Sequence, residues 1–297
     1  MKPLQARRIR QRITPYLLVT PTIILVGVFV YGVVNGVLQG FGIMPFLGRT
    51  ELTLDYYIEA LNRRDLIASL NYSLYISLTS SVLALIGGIV LSAALTRVQA
   101  SRRRQLLNIQ IPLMTAHTIV VLFLVSLFAG SGLFPRLLFW LGVIDDVGVF
   151  PSIIGGASGW GIILVYLWKE IPFVAFYTAT IMMHVSSRYG EAAETLGASS
   201  LRSFFSVTLP LCKGALTKAF LIVFAFSFGA YEVPFLLGPT LPKALPVLAY
   251  LEFQNPDILN RSYAMAINGI MALICCIAAL VYFLVLQKER KERKTDE

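Results

Sequence analysis

The sequence predicts an all-α, six-span polytopic membrane protein, and three observations carry that reading. Hydrophobic residues make up 57% of the 297 and charged residues only 14%, with a mean hydropathy of +0.73. Soluble domains average roughly 45–50% and about 25%. Second, the stretches Ile13–Gly48, Leu66–Thr96, Gln105–Pro135, Val147–Trp168 and Ser262–Gln287 contain no Asp, Glu, Lys or Arg. A hydrocarbon core about 30 Å thick takes about 20 helical residues, and four of these five runs clear that length comfortably. Third, the basic residues cluster on alternate connections. Such a composition excludes disorder, a nucleic-acid-binding domain and a soluble cytosolic enzyme as the whole chain.

Taken in order, the first span is Tyr16–Leu38. It follows Arg7, Arg8, Arg10 and Arg12 and is too long for the apolar region of a cleaved signal, so it is read as a retained span. The connection Arg49–Asp65 mixes charges with Leu52, Leu54, Tyr57, Ile58 and Leu61, the pattern of a short amphipathic surface helix. Spans two and three are placed at Leu70–Leu95 and Leu107–Ala129. Gly, Pro and aromatic residues at Gly40–Gly48 and Gly148–Gly161 mark turns. Span four, near Gly159–Met183, holds Lys169, Glu170 and Pro172 at its middle. Either it stops at Trp168 or it is a longer helix broken by the proline, and the apolar Val174–Met183 favours the longer form. Spans five and six are expected at Leu216–Leu237 and Tyr263–Leu286.

Charge sets the direction. The two tails and the loops joining spans two to three and four to five hold 18 Lys and Arg, the opposite face holds 6, and Lys169 remains inside span four. The enrichment of Lys and Arg on the cytoplasmic side predicts that both termini are cytoplasmic, as an even number of spans requires.

The loop between spans four and five, Ser186–Gly214, reads SSRYGEAAETLGASSLRSFFSVTLPLCKG. Tyr189, Ala192, Ala193 and Leu196 recur at helical spacing. Ser187 is placed to cap a first helix and Gly197 to end it in the left-handed region. Ser199 or Ser200 is placed to cap a second, with Leu201, Phe204, Phe205 and Thr208 on one face and Pro210 as its stop. Small alanines at the centre of such a knob suit close docking on another protein. Enzyme chemistry finds no carrier: GxxxxGK[ST], HExxH and GxSxG are absent, His117 and His184 stand far apart, and Cys212, Cys275 and Cys276 lack metal spacing. Cys212 is read as a loop residue. If ATP drives the process, another polypeptide binds it.

This loop resembles that of the membrane permease subunits of binding-protein-dependent, type I ATP-binding-cassette importers. Their signature is Glu-Ala-Ala, three residues, Gly and an apolar-x-Leu-Pro end, which stands here as Glu191, Ala192, Ala193, Gly197, Val207, Leu209 and Pro210. Trp168, Pro172 and Phe173 match the helix that feeds the loop. The resemblance covers roughly Leu66–Leu286 and implies a permease core at 66–286 with five spans and the coupling loop at 186–214. A basic tail at 1–15, a first span with its outer loop at 16–65 and a charged tail at 287–297 flank it. The resemblance further implies a multi-pass protein of the bacterial inner membrane that binds no cofactor and works with a pair of cytoplasmic ATP-binding subunits. A second permease subunit, identical or not, and a periplasmic or lipid-anchored substrate-binding protein complete the expected partners beside the bilayer. Glu191, Ala192, Ala193, Leu196, Gly197 and Pro210 then form the ATPase-coupling element.

The substrate expectation also comes from resemblance. Leu196 stands where many sugar-type permeases have aspartate, and Gly229–Gly238 is similar to the spermidine/putrescine-type members. A polyamine or similar small organic solute is expected, with phosphonate, thiamine, iron or sulfate as alternatives. Glu232 and Glu170 are the expected carboxylates of a cation path, with Tyr231 and Trp168 as aromatic faces. The other reading makes both carboxylates structural, with Glu170 held by Lys169 of a neighbouring subunit or by backbone groups freed at Pro172, and Glu232 reaching interfacial water. The rival class is an ATP-independent carrier or channel, which needs inverted repeats or a self-contained pore.

Overall fold

The computed structural model describes residues 3–97 and 109–295. Its helices are α1 (Pro3–Gly40), α2 (Asp55–Asn62), α3 (Arg64–Arg97), α4 (109–114), α5 (His117–Phe128), α6 (Leu133–Trp140), α7 (Trp160–Val185), α8 (Glu191–Thr195), α9 (Ser200–Ser203), α10 (Leu209–Gly229), α11 (Glu232–Leu237), α12 (Leu245–Phe253) and α13 (Asn260–Thr295). Among the described residues the only strand-type pairing is an isolated bridge between Met44 and Arg49. Six segments are long and apolar enough to cross a membrane: Tyr16–Gly40, Arg64–Leu95, His117–Trp140, Trp160–Thr195, Ser200–Gly229 and Asn260–Leu284. Apolar side chains cover all sides of these helices, which is stable only where lipid or protein surrounds them.

The expected count of six holds, and two spans depart from their expected course. Leu107, the expected start of span three, lies outside the described residues. Within that span the helix stops at Thr115–Ala116 and restarts at His117. Thr115 Oγ1 donates to the Ile111 carbonyl at 3.0 Å, satisfying an end carbonyl of the helix, and Ala116 is extended, so the chain leaves the helix there. Span five does not reach Leu237: α10 ends at Gly229, Ala230 is extended, and α11 begins at Glu232. An acidic residue in the first turn and Pro234 just behind it favour a helix start at that point. Span four is one helix through Pro172, so the longer placement is the observed one and the proline does not end it.

The chain divides into two compact units. In the first, Met1–Asn62 with Leu251–Ile270, the Tyr57 hydroxyl fills a site that two glycines leave open: a Cβ on Gly40 would lie 2.9 Å from that oxygen and one on Gly269 2.5 Å. The Phe41 ring lies 5.1 Å from the Tyr57 ring, and Arg49 Nη1 donates to the Tyr56 hydroxyl at 2.7 Å. The expected amphipathic helix of the outer connection is therefore α2, with Ala60 buried and Ile58 and Leu61 exposed.

In the second unit, Arg63–Tyr250 with Met271–Glu297, α3 packs chiefly along α7, and both pack on α10. Glycine makes the approach close: a Cβ on Gly87 would lie 2.9 Å from Ile171 Cδ1, and one on Gly88 would collide with Val174. Beside it Ser92 Oγ and Thr178 Oγ1 share a hydrogen bond of 3.0 Å. One core cluster joins Tyr72 and Ile76 of α3 with Val121 of α5, Ile163 and Tyr166 of α7 and Val233 of α11. A second gathers Met182, Val185, Cys212 and Leu216 at the root of the loop. Cys212 is thus a buried helical residue of α10 and not a loop residue, because its apolar neighbours continue the helix backward past Leu216.

Candidate functional site

Two places concentrate the residues that the sequence singles out. The first is the connection from α7 to α10. It contains less loop than expected, because α7 passes through a wide π turn, Ser186–Gly190, straight into α8. Ser187 therefore caps nothing; its hydroxyl donates to the His184 carbonyl at 3.2 Å. α8 ends as the glycine predicts. Gly197 has φ +92°, its N–H donates to Glu194 O at 2.9 Å, and the Ala198 N–H donates to Ala193 O at 3.0 Å. Those two bonds form a Schellman closure, which satisfies the last carbonyls without any side chain. Ser199 then caps α9, accepting from the Arg202 N–H at 3.4 Å.

The return is also continuous. A second π turn, Phe204–Thr208, joins α9 to α10, and Pro210 sits in the first turn of α10, where a missing N–H costs least. Pro210 starts the next helix and does not stop the previous one. The Ser203 hydroxyl donates to the Gly190 carbonyl at 3.0 Å, pinning the two limbs together. On the resulting knob Glu191, Ala192 and Gly197 are exposed, Ala193 is half-buried, and Leu196 is 89% exposed. An aliphatic side chain so placed has no partner within the described chain to account for it.

The second place lies where α5, α7 and α10 meet. A cavity of about 210 Å³ is lined by His117, Lys169 and Glu170 together with Phe173, Ile222 and Phe226. Glu170 is 3% exposed. One of its oxygens accepts from the Ser227 hydroxyl, and Ser80 Oγ lies 3.5 Å from Ser227 Oγ. Its other oxygen, Oε2, is buried without a partner, as is His117 Nε2. The His117 ring stacks on Phe226 with centroids 5.5 Å apart. Glu232 accepts from the Thr118 hydroxyl and lies within electrostatic reach of both Lys169 and His117.

The other two residues named from sequence stand elsewhere. Tyr231 packs on Tyr250 and Phe235, with ring centroids 4.5 and 5.0 Å away. Trp168 is half-exposed and lines a separate cavity with Pro112, Phe123, Leu164 and Pro172. Residues two apart on a helix do not share a face, so Trp168 and Glu170 serve different cavities. Sequence reasoning missed His117, Thr118, Ser80 and Ser227. The one signal for them is a polar residue inside an apolar run, and the helix break before His117 gives that signal meaning.

Six apolar segments, a helical knob between the fourth and fifth, and a mostly apolar cavity into which a few polar groups project define a polytopic membrane protein. The chain belongs to the family of binding-protein-dependent transport system inner membrane components, whose signature matches residues 84–291. It is 32% identical over 124 residues to the molybdate/tungstate transport system permease protein WtpB of Methanocaldococcus jannaschii, a match spanning 41% of this chain and 49% of that protein. It is 27% identical to the sulfate transport system permease protein CysT of Escherichia coli, over 74% of this chain and 76% of that one. The fold is that of a chain in the crystal structure of a bacterial ABC transporter involved in the import of the acidic polysaccharide alginate. The TM-score is 0.74 at 18% identity, covering 95% of this chain and 99% of that one.

Proposed function

We propose that this chain is the membrane-spanning half of an ATP-driven importer, and that Glu191, Ala192, Ala193, Leu196, Gly197 and Pro210 form its contact with a separate ATPase subunit. The observation that carries the proposal is the α8 knob. Its backbone is closed on itself by the Schellman bonds, so its exposed side chains, above all Leu196, are left for a partner. ATP is bound and hydrolysed by that partner; this chain holds no cofactor. A solute-binding protein serves the assembly, in line with the family's description, and a second permease subunit completes it. The knob and both termini face the cytoplasm, and the α6 side faces outward. Cysteines placed singly at Ser199 and Asp145 are then labelled from opposite sides of the membrane; labelling from one side overturns the orientation.

For the solute we infer a small inorganic oxyanion of the sulfate or molybdate kind. The names of the relatives support this class, and it is one of the alternatives the sequence leaves open. A polyamine is the second reading, favoured by the carboxylates Glu170 and Glu232. Each of those already receives a hydroxyl donor from within the chain, which supports a structural role for both. Purification of the chain with its ATPase and binding-protein partners, followed by solute-stimulated ATP hydrolysis, tests the importer reading. Stimulation by sulfate or molybdate and not by putrescine is the expected result. Transport by the isolated chain without ATP overturns the reading in favour of a carrier.

A further inference from the structure

The cavity between α5, α7 and α10 is apolar on most of its wall, yet three polar groups line it. Two of them, Glu170 Oε2 and His117 Nε2, are buried with no partner. Unpartnered polar atoms beside one cavity call for a polar guest, because leaving them dry costs about 1–3 kcal/mol each. The mobilities of the charged groups differ. Glu170 is fixed by Ser227, and Glu232 is held by Thr118. Lys169 is half-buried on a long flexible stem with three donors, so it is the group able to follow a moving ligand. His117 is braced by its stack on Phe226 and presents a ring nitrogen beside that stem.

We propose that this cavity is a transit site for a small inorganic oxyanion, anchored by Lys169, assisted by His117 and kept weak by Glu170. The proposal rests on the oxyanion reading of the solute given above. Lysine and glutamate at adjacent positions point in different directions, so Glu170 does not pair with Lys169 by contact, and Glu232, within electrostatic reach of Lys169 and His117, is the carboxylate that an anion displaces from their influence. The unpartnered Oε2 of Glu170, whose lone pairs face away from any donor, instead opposes the hold on an anion, and a translocation site must release what it binds. The apolar walls of Phe173, Ile222 and Phe226 strengthen both effects by lowering the local dielectric.

The arrangement gives substitutions of opposite sign. The complete complex of permease pair, ATPase subunits and its own binding protein is reconstituted in vesicles, and uptake of radiolabelled sulfate and molybdate is measured beside binding-protein-stimulated ATP hydrolysis. Lys169→Met is expected to lower oxyanion uptake at least tenfold while stimulated hydrolysis stays within about twofold, and Lys169→Arg to restore most of the uptake. Glu170→Gln, which keeps a hydrogen-bonding partner for Ser227, is expected to lower the KM for uptake severalfold and to slow turnover. Oxyanion uptake unchanged in Lys169→Met and Lys169→Arg overturns the site and leaves the oxyanion reading standing. A wild-type complex that imports putrescine and no oxyanion overturns both. In that case the signs invert, with Glu170→Gln abolishing uptake and Lys169→Met sparing it.

Discussion

The α8 knob and the Glu170 cavity solve the same problem, polar groups in an apolar protein, in opposite ways. In the knob every backbone bond is local: Gly197 bonds three residues back and Ala198 five. In the cavity the bonds are distant in sequence: Ser227 reaches Glu170 across 57 positions, and Ser80 approaches Ser227 across 147. Local closure leaves the knob's side chains outward and replaceable by a partner's surface. Distant closure ties three helices together through groups that have no water to fall back on. Substitutions in the knob are therefore expected to act on coupling and spare the fold, whereas loss of the hydroxyls that tether the carboxylates is expected to act on the fold first.

The widest separation is expected at the knob. Ala193→Trp fills the close-contact face, and Gly197→Val opposes the left-handed turn by about 1–2 kcal/mol. Solute-stimulated ATP hydrolysis should fall about tenfold or more in each, with membrane insertion and the Tm in detergent nearly unchanged. Full stimulation in Ala193→Trp would take that face out of the docking surface. Next comes Ser227→Ala, which strips the Glu170 carboxyl of its donor and should destabilise the protein by about 1–3 kcal/mol. The Tm should drop by several degrees and recover in Ser227→Thr; a wild-type Tm would show that water serves Glu170 as well as serine does.

Two smaller effects sharpen the contrast. Thr118→Val removes the donor to Glu232, a more exposed carboxylate, and should cost about 0.5–1.5 kcal/mol, read as a smaller Tm shift than at Ser227. A shift as large as that of Ser227→Ala would mean that Glu232 is as dependent on its tether as Glu170. Ser199→Ala removes the cap of the shortest helix in the knob. Its 3.4 Å bond is long, so the cost should lie near the low end for caps, about 0.5 kcal/mol, and confine itself to faster amide exchange at Arg202 and Ser203.

The same contrast explains what the sequence tells in advance. The knob was legible because its determinants are adjacent: the Gly197 turn and the Ser199 cap are both short-range signals, and both are observed. Its flanks were less so. Serine and proline suggest ends, but Ser187 and Pro210 lie in continuous helix because π turns carry the chain past them. Membrane spans were legible from length and apolarity, and their breaks only in part, since a stop at Gly229 or Thr115 depends on which neighbours accept the freed backbone groups. Least legible was the cavity. Nothing near Glu170 in sequence names Ser227 or His117, and spacing on one helix could not reveal that Trp168 turns to a different cavity.

The continuity of α7 through Ser186–Gly190 into α8 has a mechanical consequence. With no loop between them, the knob and the middle of the membrane belong to one continuous helical path. Lys169 stands 17 residues before Ser186, a distance of about 25 Å along a helix. The return through Phe204–Thr208 gives α10 the same direct attachment, and α10 carries Ser227 and Phe226. A displacement at Leu196 thus has two helical routes, α7 and α10, that both lead to the lining of one chamber. What the two routes share at their far ends is the bond from the Ser227 hydroxyl on α10 to the Glu170 carboxyl on α7, so a relative displacement of the two helices is felt first at that bond.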